Sequence, residues 1–196
     1  MNKLKTVVWD VDDVLNNLMY EWLNFWLLNH PHFNISYSDL FENPPNKILN
    51  ISYPEYINSL DEFRKNFGYK LKYMPEVLSW FQNYGNSCRH VVLTSTPSFF
   101  SANSAYWVIS NFGKWIRSFN FIPSPRKDDQ MFTYDKEKVD FLIWFEKADL
   151  FIDDNDLNIE MAKEKGFKTL LMPRPWNKSN LSLGEALTEI NKILKL

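Results

Sequence analysis

The chain has 196 residues, 45% of them hydrophobic, enough to fill one core of ordinary size with a small accessory domain beside it. Its formal net charge of -2 lacks the basic excess of a nucleic-acid surface, so no nucleic-acid polymer is expected as a partner. A lone Cys88 excludes an intramolecular disulfide and agrees with a cytoplasmic setting, and no run is apolar enough for a signal segment or a membrane span.

The first apolar run, Thr6 to Val11, ends in a cluster of carboxylates: Asp10, Asp12 and Asp13. Alternation along a strand points Asp10 and Asp12 the same way, about 6–7 Å apart. Like charges that close need a cation or a shared proton, so the cluster reads as the floor of a metal-dependent site. About sixty residues then pass without a convincing strand, too many for an ordinary connection in a sheet. Leu15, Leu18, Met19, Trp22, Phe25 and Trp26 share one helical face, and after Pro31 and Pro44-Pro45 a second helix is expected from about Pro54 to Phe67. Residues 14–74 are therefore expected to form a small helical domain or a lid, inserted between residues 1–13 and the main body at 75–196. Eight Trp within a 17% aromatic content imply a large aromatic core. Stacking of a flat substrate on Trp22 or Trp26 is the sharper expectation.

Beyond the insert, strand and helix alternate. A helix is expected over Pro75 to Tyr84, a strand over His90 to Ser95 and a helix over Phe99 to Phe112. A strand over Phe119 to Ile122 and a helix over Lys138 to Phe145 lead to a strand over Asp149 to Asp153. A helix over Ile159 to Lys165 and a strand over Lys168 to Met172 follow. The last helix opens with a capping box, Ser182 and Glu185. This alternation predicts an α/β fold, a doubly wound parallel sheet.

In such a sheet ligands bind outside the carboxyl ends of the strands. Those ends deliver Asp10 and Asp12, then Thr94 and Ser95, then Asp153 and Asp154. Two acidic ends around a hydroxyl end suit Mg²⁺, which takes carboxylates plus substrate phosphate. With no Gly-rich phosphate loop, the positive charge must come from a side chain, and Lys127, Lys136 and Lys138 are the candidates. Asp10 is placed to attack phosphorus, and Asp12 to protonate the leaving oxygen and later activate water. Thr94 would position the phosphoryl oxygens.

In order and spacing these residues resemble the four motifs of the haloacid dehalogenase (HAD) superfamily. Asp10-Val11-Asp12-Asp13-Val14 is similar to its first motif, Thr94-Ser95 to its second, one of the lysines to its third, and Asp153-Asp154 to its fourth. The resemblance implies a Rossmann-like core with a C1-type cap in the insert. It also implies Mg²⁺ held by Asp10, the Asp12 carbonyl and Asp153, with Asp154 assisting. Because family members that lack the second aspartate include the dehalogenases, Asp12 favours phosphotransfer. Within the superfamily the chain resembles most the 5'(3')-deoxyribonucleotidase group, through Thr94-Ser95 followed by Pro97, Ile152-Asp153-Asp154, and Pro175-Trp176-Asn177. It departs from that group at Asp13, where Gly is usual, in a long Lys138-to-Asp153 interval, and at Asn155-Asp156, where Arg-Pro is usual. Asp13 is expected to cap the turn into the insert. The resemblance implies a cytoplasmic phosphatase acting on a small phosphorylated metabolite, a nucleoside monophosphate or alternatively a sugar phosphate. A non-catalytic binding protein of the same fold is the remaining alternative. A response-regulator receiver is excluded, because Asn50 to Pro54 offers no phosphoacceptor aspartate.

Overall fold

The computed structural model describes residues 4–124, 126 and 134–196. Five strands, β1 (Lys5–Trp9), β2 (Cys88–Thr96), β3 (Ile116–Pro123), β4 (Leu150–Asp153) and β5 (Thr169–Leu171), form one all-parallel sheet in the order β3-β2-β1-β4-β5. All five predicted strands are present. β2 and β3 extend further than their apolar cores suggest, since each pairs with the other along most of its length.

Among the described residues, seven α-helices surround the sheet. α1 (Leu18–Asn29) and α2 (Tyr53–Phe67) lie in the insert. α3 (Pro75–Tyr84) and α5 (Lys138–Phe145) have the predicted bounds, and α4 (Ser101–Phe112), α6 (Asp156–Glu164) and α7 (Leu183–Leu194) complete the set. α6 begins three residues before its first buried apolar residue because the Asn155 side chain accepts from the Asn158 amide and caps a polar first turn. The predicted box at α7 forms, with Ser182 and Glu185 exchanging bonds at 2.8 and 3.3 Å.

Strand alternation sorts the interior into two clusters. Val7, Trp9, Val92 and Ile152 face one side with residues of α1, α2, α3, α4 and α7. Val8, Val91, Leu93 and Phe151 face the other, against Phe141 and Leu142 of α5 and Ile159 and Ala162 of α6. Helices on both faces of a parallel sheet explain why its central strands read as continuous apolar runs. The two ends of the insert run side by side: Asn16 bridges Tyr73, and the Met74 amide donates to the Leu15 carbonyl at 3.0 Å. Among the described residues, no helix is long and apolar enough to cross a membrane.

Candidate active site

The strand order reverses at β1, whose neighbours are β2 on one side and β4 on the other, and the crevice beyond their carboxyl ends is where such folds take ligands. Register decides which residues meet there. Val8 pairs with Phe151 and Trp9 with Ile152, and the Asp10 amide continues the ladder by donating to the Ile152 carbonyl at 2.9 Å. Asp10 therefore stands beside Asp153, on the face that α5 and α6 cover. Carboxylate oxygens of Asp10, Asp153 and Asp154 lie within 4.8 Å of one another, and all three residues are buried.

Of the three candidate lysines, Lys138 enters this cluster. At the start of α5, only 3% exposed, its ammonium lies 2.7 Å from Asp153 Oδ2 and 2.9 Å from Asp10 Oδ1. Lys136 does not line the cavity: it is exposed, and its amide donates to Asp140 Oδ2 at 3.0 Å. Lys136 is thus removed from the predicted site, because it lies before the first turn of α5 rather than on the face toward the sheet. Lys127 lies outside the described residues.

One lysine does not balance three carboxylates. Burial pushes the Asp10 carboxyl up to about 8, with Asp153 and Asp154 adding to the rise against the pull of Lys138. Asp154 rises to about 8 by burial and by the charges of Asp153 and Asp13. Burial works to lower the Lys138 ammonium, but Asp10 and Asp153 outweigh it and hold its pKa above the usual lysine range. Asp10 Oδ1 is buried, with the Lys138 ammonium 2.9 Å away as its ion-pair partner. An all-oxygen donor set with an excess of negative charge fits a hard divalent cation.

Neighbouring residues hold this cluster in place. Asn158 Nδ2 donates to Asp153 at 3.2 Å, and the Asn155 amide donates to Asp153 Oδ1 at 2.9 Å. Trp176 Nε1 donates to Asp154 Oδ2 at 3.0 Å, while Asn177 Nδ2 bridges the carbonyls of Asp154 and Met172. Pro175-Trp176-Asn177, noticed in the sequence only as a likeness, thus orients Asp154.

Asp12 faces the cavity, where Asn16 Nδ2 donates to its Oδ1 at 3.0 Å and Arg64 of α2 to its Oδ2 at 3.1 Å. Asp13 caps the turn as expected, receiving the Met19 amide at 3.1 and 3.2 Å. Its φ of 57° lies in the left-handed region, which explains why glycine suits this position and why an aspartate, with a local partner, is tolerated.

Of the two predicted hydroxyls, Thr94 and Ser95, the structure brings Ser95 to the carboxylates. Val91 and Leu93 of β2 face α5 and α6, as Val8 and Phe151 do, so alternation along β2 puts Ser95 on the face of Asp10 and Asp153. Ser95 lines the cavity. Thr94, only 1% exposed, points to the opposite face and is absent from the wall. The aromatic expectation also needs correction. Trp22 and Trp26 are 0% and 3% exposed and pack in the interior; Trp22 contacts Tyr56, and Trp26 stacks on His30. Helical spacing places their rings on the face that α1 buries, so neither reaches the cavity. The ring at its mouth is Tyr53, 55% exposed, on the first turn of α2.

The cavity holds about 330 Å³ and joins the carboxylates and Lys138 to a wall from the insert. Arg64 of the insert and Arg126 after β3, which sequence patterning did not single out, also line it.

This fold matches that of solved structures of HAD-like hydrolases. A haloacid dehalogenase-like family hydrolase from Streptococcus pneumoniae superposes with a TM-score of 0.58 at 10% identity, over 96% of this chain and 91% of that one. A HAD-superfamily hydrolase of subfamily IA from Geobacter sulfurreducens gives 0.57 at 13% identity, over 97% and 96%. A structure described as a predicted phosphoglycolate phosphatase from Haemophilus somnus gives 0.55 at 14% identity, over 98% and 99%. The chain has the Rossmann-like fold of the HAD-like hydrolases. No protein-family model matches it, and no curated protein does.

Proposed function

We propose that the protein is a Mg²⁺-dependent phosphomonoester hydrolase of the HAD superfamily that acts through an aspartyl-phosphate. The observation that carries this reading is the meeting of Asp10, Asp153, Asp154 and Lys138 at the strand switch point, with Asp12 and Ser95 on the same face. Asp10, the Asp12 carbonyl, Asp153 and Asp154 would hold Mg²⁺. When bound, the cation offsets the carboxylate charge and that of the phosphoryl oxygens. A carboxylate oxygen of Asp10 attacks phosphorus as the bond to the leaving oxygen breaks, and Asp12 gives that oxygen a proton. Asp12 then takes a proton from water as the water attacks phosphorus and the bond to Asp10 breaks, releasing phosphate. Lys138 and the Ser95 hydroxyl bind phosphoryl oxygens, and Lys138 pulls the Asp10 carboxyl toward its ionised form.

Residues 14–74 are read as a C1-type cap, with the paired segments around Asn16 and Tyr73 as its two hinges. Three features favour a nucleoside monophosphate as the substrate. The motif pattern resembles the 5'(3')-deoxyribonucleotidases, the exposed Tyr53 ring offers a stacking surface at the cavity mouth, and the volume is about 330 Å³. The lone thiol of Cys88 agrees with a cytoplasmic enzyme. Initial rates on dUMP, dTMP and sugar phosphates at equal concentration with Mg²⁺ test this. Faster turnover of the nucleotides is expected; a wide margin for sugar phosphates would end the nucleotidase reading and leave the phosphatase mechanism standing.

A further inference from the structure

Asp13 lies in the turn after β1, 2% exposed, and lines the cavity together with Asp10, Asp153 and Asp154. Both of its carboxylate oxygens receive the same donor, the Met19 amide of α1, at 3.1 and 3.2 Å. Its φ of 57° places a second demand on the side chain. An asparagine would meet both demands, because its amide oxygen caps as well as a carboxylate does and it is equally at home in the left-handed region. What an asparagine lacks is the charge.

That charge is unfavourable where it lies. Asp13 is repelled by Asp12 and Asp10, and it acts in turn on Asp154. Like charges buried together need a cation to offset them. Lys138 is already engaged by Asp10 and Asp153. Arg174 attracts Asp13, but its guanidinium donates to the carbonyls of Asp13 and Pro173 and to Met74 Sδ, not to the carboxylate. Asp13 also stands outside the group of Asp10, Asp153 and Asp154, whose oxygens lie within 4.8 Å of one another. A carboxylate in such a position strengthens the binding of a cation without touching it, since affinity for a hard divalent ion follows the charge gathered around the site.

Building on the Mg²⁺-dependent phosphatase reading, we infer that Asp13 sets the affinity of the site for the divalent cation: its buried charge, held outside the ligand set, draws the ion to Asp10, Asp153 and Asp154. The turn it caps fixes that charge beside the cluster. Its role is to position and retain the ion, and it takes no part in the transfer of the phosphoryl group.

The test is the Kd for Mg²⁺, measured by isothermal titration calorimetry on metal-free protein near pH 8. Asp13→Asn keeps the cap and the backbone angle, so it changes the charge alone. Its Kd is expected to be about tenfold higher than that of the wild type, with a metal-free Tm equal or higher. Asp13→Gly, which suits the backbone angle and gives up the cap, is expected to raise Kd to the same extent. Agreement of the two variants assigns the effect to the charge. A Kd for Asp13→Asn within about twofold of the wild type's, whatever Asp13→Gly does, would overturn the inference and leave the Mg²⁺ site standing. A rise in Kd accompanied by a fall in the metal-free Tm of Asp13→Asn would assign the charge to the fold, and would overturn it as well. A wild type that takes up no Mg²⁺ would remove the metal-dependent reading, and the inference with it.

Discussion

His90 stands on β2, in the sheet that carries the site, and its protonation state is dictated by its neighbours. Trp9 Nε1 donates to its Nδ1 at 3.0 Å, so that nitrogen must be an acceptor; Nε2 then carries the proton and donates to the Gly85 carbonyl at 2.8 Å. A second proton would set two N–H groups against each other in the core. Burial accordingly lowers the imidazole from 6.5 to about 4, the bond to Gly85 opposing it. Between these two values the unfolded chain binds a proton that the folded protein refuses. The contribution of His90 to stability is therefore complete above pH 6.5, declines as the pH falls toward 4, and is lost below that. The interval corresponds to about 3 kcal/mol, or about 6–12 °C in Tm for a domain of this size. Thermal unfolding of the wild type and His90→Gln, followed by circular dichroism from pH 7.5 to pH 4, isolates this contribution. Carboxylates common to both proteins cancel in the difference. The wild type is expected to lose the larger share of its Tm on acidification; parallel curves would refute the assignment of a neutral, Nε2-protonated His90.

Two predictions concern the site. Lys138→Met leaves buried carboxylates without their cation and is expected to cost about 3–5 kcal/mol in metal-free buffer near pH 8, read by denaturant unfolding, with partial recovery on adding Mg²⁺. The same variant is expected to lose nearly all phosphatase activity. Ser95→Ala is expected to lower kcat/KM by about tenfold or more, because it removes a hydroxyl from the carboxylate face, whereas Thr94→Val, on the other face, is expected to leave it within about twofold.

Much of this architecture is legible before any coordinate is known, and the reasons differ by element. Buried parallel strands announce themselves as short apolar runs, and α3 and α5 begin where Pro75 and Lys138 stand and end where the apolar spacing stops. The carboxylates are legible because three acidic residues at the end of a buried strand have no ordinary structural use. Lys138 is not legible, since a lysine at a helix start looks the same whether solvated or buried; only the packing of α5 against β4 separates it from Lys136. Ser95 is legible beside Thr94, and counting alternate residues from Val91 and Leu93 separates the two by placing Ser95 on the carboxylate face. Trp22 and Trp26 mislead because the face that makes a helix amphipathic is the face that it buries. Arg64 and Arg126 meet at the cavity only when the insert folds back over the sheet, a long-range event with no local signature.

The account stands or falls on Asp10. Hydrolysis of p-nitrophenyl phosphate with Mg²⁺ should be measured for the wild type and for Asp10→Asn, with circular dichroism to establish that both are folded. Removing one of three crowded carboxylates is expected to leave the variant at least as stable as the wild type. Its activity is expected to fall by about a thousandfold or more, because no other group can accept the phosphoryl. A folded Asp10→Asn protein that retains the wild-type rate, or a wild type that turns over no phosphate ester, would contradict the account.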